Sequence, residues 1–198
     1  MSKKILIIAP HADDEILGCG GSIIKHKENK DIVYVLILTN ASKGNKSKYS
    51  DKYIKTIRNE ALAAHKYLNI DNTFFENLPA PQLDQFPLFK ISDIIRNYLL
   101  NLKINTLYIP NYSDSHIDHK LIFEASLVST RPFNGNLVKN IFAYETLSET
   151  EWSFPYEEYV FKPNYFNELS KRQLMNKINS FKFYKSQLKN KNHPRSAE

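Results

Sequence analysis

The chain has 198 residues, 42% of them hydrophobic and 24% charged, which suits one ordinary globular domain and is short for two. Its formal charge of +6 comes from lysines scattered along the chain, with no basic stripe interleaved with aromatics, and this argues against nucleic acid as a partner. Met1-Ser2-Lys3-Lys4 runs straight into five apolar residues, too short and too quickly charged a start for a secretory signal or a membrane span.

Ile5 to Ala9 reads as a buried strand of the kind found in parallel sheets. It stops at Pro10, which cannot donate to a ladder, and delivers His11, Asp13, Asp14 and Glu15. In open α/β sheets ligands sit beyond the carboxyl ends of strands, so chemistry is expected here. Gly18-Cys19-Gly20-Gly21 leads into a helix from Ser22, entered through small residues that allow tight packing on the sheet. The spacing is not that of a dinucleotide fingerprint, and no acidic residue follows the second strand to meet a ribose. Cys19 is the one cysteine; it excludes an internal disulfide, fits a reducing cytoplasm, and reads as a small packing residue.

Ile32 to Leu38 is the second strand, ending in Thr39-Asn40. Ala41 to Ser50 reads as a polar, mobile loop at the same sheet edge as His11. Lys52 to Leu68 has helical periodicity with Ile54, Ile57, Ala61, Ala64 and Leu68 on one face. Thr73 to Phe75 is a short strand, Pro79-Ala80-Pro81 breaks the chain, and Phe86 to Leu102 is an amphipathic helix. Thr106 to Pro110 is again a strand that stops at proline, followed by Asn111 to His119 and a helix to about Ser129. Leu137 to Tyr144 is expected as a strand, Tyr159 to Phe161 as the last one, and Asn167 to Leu188 as a basic helix burying Leu169, Ile178, Phe181 and Leu188. Strands alternating with helices in this way imply βαβ crossovers and a parallel sheet, an α/β protein.

Both strand–proline stops open onto histidines and carboxylates. His11 and Asp14 lie three apart across a tight turn, and His119 joins them if the two strands are neighbours. Two imidazoles and a carboxylate suit a catalytic zinc with a position left for water, whereas a structural zinc wants four ligands, usually with cysteines. Iron(II) or cobalt accepts the same ligands. Asp13 is the candidate general base, and His116, one helical turn before His119, is placed to act as an imidazolium on an oxyanion or a departing amine. Asp118 has two compatible readings. It hydrogen-bonds a histidine and fixes its tautomer, or it completes a capping box with Ser115. Glu15 reads as a residue of the turn, and His26 and His65, without acidic companions in their helical patterns, as surface or structural.

Pro10-His11-Ala12-Asp13-Asp14-Glu15 with Gly18 to Gly21, and His116-Ile117-Asp118-His119 about 100 residues later, resembles the PIG-L (LmbE-like) family of zinc-dependent de-N-acetylases. Ala12 stands where the family usually has proline. Arg58-Asn59-Glu60-Ala61, Tyr144-Glu145-Thr146 and Phe183 to Leu188 extend the resemblance over most of the chain. It implies a Rossmann-like three-layer α/β/α sandwich with a mostly parallel sheet, and release of acetate from an N-acetylglucosamine-type sugar. It assigns His11, Asp14 and His119 to zinc, Asp13 to the base and His116 to an electrostatic or acid role. Arg58 is carried over as a substrate-binding residue, beside its reading as a surface helix arginine. Family members typically continue past His193-Pro194-Arg195-Ser196, so one domain over residues 1–198 is expected, either a shortened member or a truncated one.

The leading expectation is therefore a cytoplasmic zinc N-deacetylase acting on a small N-acetyl sugar or sugar conjugate. Two alternatives stand beside it: the same chemistry on another N-acyl small molecule, and an inactive module that binds acetylated glycans. The aromatic stretch from Trp152 to Tyr165 is a candidate interface for a homo-oligomer.

Overall fold

A computed structural model describes residues 2–132, 135, 137–154 and 160–197. Its five strands are β1 (Lys4–Ala9), β2 (Ile32–Asn40), β3 (Asn72–Pro79), β4 (Thr106–Pro110) and β5 (Asn140–Tyr144). They form one sheet in the order β3-β2-β1-β4-β5, and every pairing is parallel. The expected parallel sheet is thus parallel throughout the described residues.

Among the described residues six α-helices connect and cover it: α1 (Asp14–Glu28), α2 (Ala41–Gly44), α3 (Asp51–Tyr67), α4 (Leu88–Leu102), α5 (Ile117–Ser129) and α6 (Lys171–Phe181). Side chains alternate across a strand, so β1 serves two cores. Ile5, Ile7 and Ala9 point to the face covered by α1, α3 and Phe181, while Leu6 and Ile8 point to the face covered by α4 and α5. Each core is continuous and made mainly of Val, Ile, Leu and Ala, which explains why β1 and β2 are apolar almost without interruption. The result is the three-layer α/β/α sandwich.

Several boundaries differ from expectation. Helix α1 starts at Asp14, not after the glycines, because its first turn is acidic and serves the site rather than the core. The glycines lie inside the helix, where Gly18 backs directly onto the Tyr144 ring. The segment after β2 contains the short α2, started by Asn40, whose side chain accepts from the Ser42 N–H. Strand β3 runs on to Pro79, and β5 begins only at Asn140. Helix α6 is shorter than Asn167 to Leu188. A capping box between Ser170 and Gln173 starts it late, and after Phe181 the chain turns so that Tyr184 folds back fully buried. Tyr159 lies outside the described residues, and Val160 and Phe161 form no strand.

The strand order sets where a site can form. From β1 the chain moves to β2 and β3 on one side, then returns to β4 and β5 on the other. The carboxyl ends of β1 and β4 therefore flank the point where the winding reverses, and a crevice opens there.

Candidate active site

Ile5 pairs with Thr106 and Ile7 with Tyr108, so β1 and β4 are neighbours and their proline stops lie side by side. The two polar segments they release converge. His11 Nδ1 and His119 Nε2 each stand 3.2 Å from Asp14 Oδ2, and Asp14 and His119 are fully buried. His119 Nε2 and Asp14 Oδ1 have no hydrogen-bond partner although both are inaccessible to solvent. Buried polar atoms are rarely left this way. Three ligand atoms within 4.8 Å of one another, two of them nitrogens, fit a divalent transition metal.

Each histidine is held from behind by a carboxylate. His119 Nδ1 donates to Asp114 Oδ2 at 2.7 Å, and His11 Nε2 to Asp118 Oδ2 at 3.1 Å. These contacts fix which ring nitrogen is left for a metal. The expected capping box does not form: His116, not Ser115, is the N-cap of α5, and the Asp118 carboxylate is committed to His11. Ser115 Oγ instead donates to Glu149 Oε2 at 2.7 Å. Burial alone would lower the pKa of His11 and His119, but their aspartate partners outweigh it and raise them to about 10 and about 9. Burial opposes ionisation of Asp14, yet the two histidines hold its carboxyl well below the usual range. A metal entering this set displaces protons from both rings.

Asp13 sits at the mouth of α1 with φ 122°, a backbone conformation that L-residues seldom adopt. Its N–H donates to Glu15 Oε2 at 3.1 Å. Glu15 in turn accepts from Tyr184 O–H and stands 2.9 Å from His65 Nε2. The Asp13 carboxylate caps nothing and pairs with Arg195 at 3.0 Å. Burial lifts its pKa to about 8 against the pull of Arg195.

His116 lines the same site. Its Nδ1 accepts the Asp118 N–H at 3.2 Å, and burial together with the charge of His11 lowers its pKa to about 4. Because Nδ1 accepts that amide, a ring proton stands on Nε2. The ring is a donor toward the cavity it lines.

That cavity, about 240 Å³, is lined by His11, Asp13, His116, Arg195, Arg58 and Tyr53 among others. Arg58 donates through Nη2 to Glu76 O and to Asn77 Oδ1 and stacks 4.9 Å from the Phe75 ring centroid. Among the described residues no carboxylate is within ion-pair distance of it, and it lies on the cavity wall.

His65 and His26 do have acidic companions, Glu15 at 2.9 Å and Asp31 at 2.8 Å, both buried. Asp114 and Arg195 escaped the sequence reading. Asp114 carried a signal, a carboxylate five residues before His119 in the same polar segment. Arg195 carried none, since 182 residues separate it from Asp13.

The family model described as GlcNAc-PI de-N-acetylase matches residues 6–129. The chain is 26% identical over 187 residues to the uncharacterized deacetylase YaiS of Escherichia coli (strain K12), covering 93% of this chain and 91% of that protein. The fold resembles the conserved protein TT1542 of Thermus thermophilus, with TM-score 0.74 and 22% identity over 93% of this chain and 79% of that one. It also resembles the N,N'-diacetylchitobiose deacetylase of Pyrococcus horikoshii, with TM-score 0.73 and 20% identity over 96% of this chain and 72% of that one.

Proposed function

Because the chain belongs to the PIG-L family, whose model is that of a GlcNAc-PI de-N-acetylase, we propose that it is a zinc-dependent hydrolase removing the acetyl group from an N-acetylated sugar. The observation that carries this reading is the meeting of His11 Nδ1, Asp14 Oδ2 and His119 Nε2 beside Asp13 at one cavity. His11, Asp14 and His119 would hold the metal. When bound, it supplies a Lewis acid for an amide carbonyl and lowers the pKa of water to about 7.

The chain's own residues account for the rest. Asp13 accepts the proton of the attacking water. His116 Nε2–H donates to the oxyanion that develops on the acetamide carbonyl. The C–N bond then breaks, the carboxyl group leaves as acetate, and Asp13 returns its proton to the amine. Arg58, which lines the same cavity, meets the sugar or its aglycone. Asp118 keeps His11 in the tautomer that the metal requires.

A cytoplasmic setting is part of the proposal and rests on the single unpaired Cys19. Among the described residues no helix is long and apolar enough to cross a membrane. The test is acetate release by zinc-loaded protein from a panel of N-acetyl sugars and N-acyl amines. Turnover of the sugars supports the reading, turnover of acyl amines alone moves the substrate class, and stoichiometric zinc without any acetate release overturns it.

A further inference from the structure

We propose that Arg195 is a positioning residue for Asp13, so that a loop near the C-terminus, beyond the family match at residues 6–129, completes the active site. The inference rests on the deacetylase reading for what Asp13 does, and on geometry alone for how Asp13 is held.

A carboxylate at the mouth of a helix has the open amides of the first turn as natural partners, and capping is its usual fate. Asp13 does not cap α1. Its oxygen Oδ2 accepts from Arg195 Nη1 at 3.0 Å instead, and among the described residues Oδ1 has no protein donor. The arginine therefore pins one oxygen and leaves the other for the cavity that both residues line. Glu15 holds only the Asp13 backbone N–H and does nothing to orient the carboxylate.

The guanidinium is itself aimed by groups outside the reaction. Its Nε donates to Ser148 Oγ at 2.5 Å and its Nη2 to Glu149 Oε1 at 3.3 Å. Glu149 is anchored in turn, since Ser115 Oγ donates to its second oxygen and Ser115 N–H to its backbone carbonyl at 3.1 Å. All three guanidinium nitrogens are engaged, each on a different residue, which sets the plane of the fork. The loop that carries Arg195 is closed on itself. Lys189 N–H donates to Arg195 O at 3.2 Å, Arg195 N–H to His193 Nδ1 at 3.0 Å, and the His193 ring meets Trp152 edge-on at 5.4 Å. Through Glu149 and Ser115, one side chain thus ties the segment after β1 to the segment after β4.

The test compares zinc-loaded wild type, Arg195→Ala and Arg195→Lys on an N-acetyl sugar that the wild type hydrolyses. Misplacement of a reacting group by about 1 Å costs on the order of 10²-fold, so kcat of Arg195→Ala should fall by about that factor. KM should change less than about threefold, because the arginine does not hold the substrate. Bound zinc should stay stoichiometric, and added guanidinium ion should restore part of kcat. Arg195→Lys keeps the charge without the fork and should lie between the two; if the alanine variant does not fold, it carries the comparison. An unchanged kcat, or a change confined to KM, overturns the proposal. A second measurement needs no turnover. In crystal structures of wild type and variant, the Asp13 carboxylate should swing toward the first-turn amides of α1 once Arg195 is lost; an unmoved carboxylate overturns the proposal. A wild type inactive on every acetylated substrate defeats the deacetylase reading, and the crystal structures still decide the role of Arg195.

Discussion

His119 Nδ1 donates to Asp114 Oδ2 at 2.7 Å, with both side chains fully buried, while its Nε2 faces Asp14. Asp114 therefore sets the tautomer of a proposed metal ligand, and Thr150, donating at 2.6 Å to its other oxygen, keeps it in place. The conservative change Asp114→Asn preserves shape and removes the charge that supports the ring. Zinc affinity should fall by about 10- to 100-fold, the usual cost of losing such a partner, as measured by competition with a chromogenic chelator. An affinity equal to the wild type would separate Asp114 from the metal site.

Asp13 and His119 should fail in different ways. Asp13→Asn keeps the shape but cannot take a proton, so kcat should drop by about 10²- to 10⁴-fold with zinc still bound. His119→Ala removes a proposed ligand from a set of three, and zinc content should be lost together with activity. Metal analysis beside acetate release distinguishes the two. Full activity in Asp13→Asn would sink the assignment of the base.

Half of this site was legible in the sequence, and the division has a physical reason. A strand buried on both faces must be largely apolar, so β1 and β4 stand out, and each proline stop marks where polar groups begin. His11, Asp13, Asp14, His116 and His119 follow directly from those stops. Which His116 nitrogen faces the cavity depends on a single amide, the N–H of Asp118, which spacing cannot convey. Helix α1 was placed too late because its first turn, Asp14 and Glu15, is spent on the site and shows no apolar period. Arg195 reaches the site through tertiary folding alone, and its local sequence looks like any basic terminal segment; Tyr184 lies in the stretch that resembles the family, yet nothing in that stretch signals that its hydroxyl turns back to Glu15.

Cys19 should be inert in the folded protein. It is 1% exposed, and burial pushes its thiol well above the ordinary range, so little thiolate forms and a reagent in solution cannot reach it. Ellman's reagent at about pH 8, near the ordinary thiol pKa, should modify no thiol in native protein and one per chain in denaturing urea, since the chain has a single cysteine. Rapid modification of the native state would mean that α1 opens locally, away from the β5 side of the sheet.

Gly18 should resist even alanine. A Cβ there would lie 2.2 Å from Tyr144 Cδ2 and 2.9 Å from the Glu145 carbonyl oxygen. The Tyr144 ring cannot simply swing aside, because it is buried and its hydroxyl donates to Ile8 O at 2.8 Å, fixing β5 to β1 across the sheet. Alanine would gain about 1 kcal/mol of helix propensity over glycine. Overpacking of this kind costs roughly 1–3 kcal/mol, and a backbone oxygen among the clashing atoms puts Gly18→Ala at or above the upper end. A net loss of stability is expected, read as a lower urea midpoint at unchanged slope. Gly20→Ala is the control. Its Cβ would meet one side-chain carbon, Lys177 Cγ, at 2.9 Å, rather than a ring and a backbone oxygen, so the midpoint should move less. Equal losses in the two variants would show that helix geometry, not the Tyr144 contact, sets the need for glycine in α1.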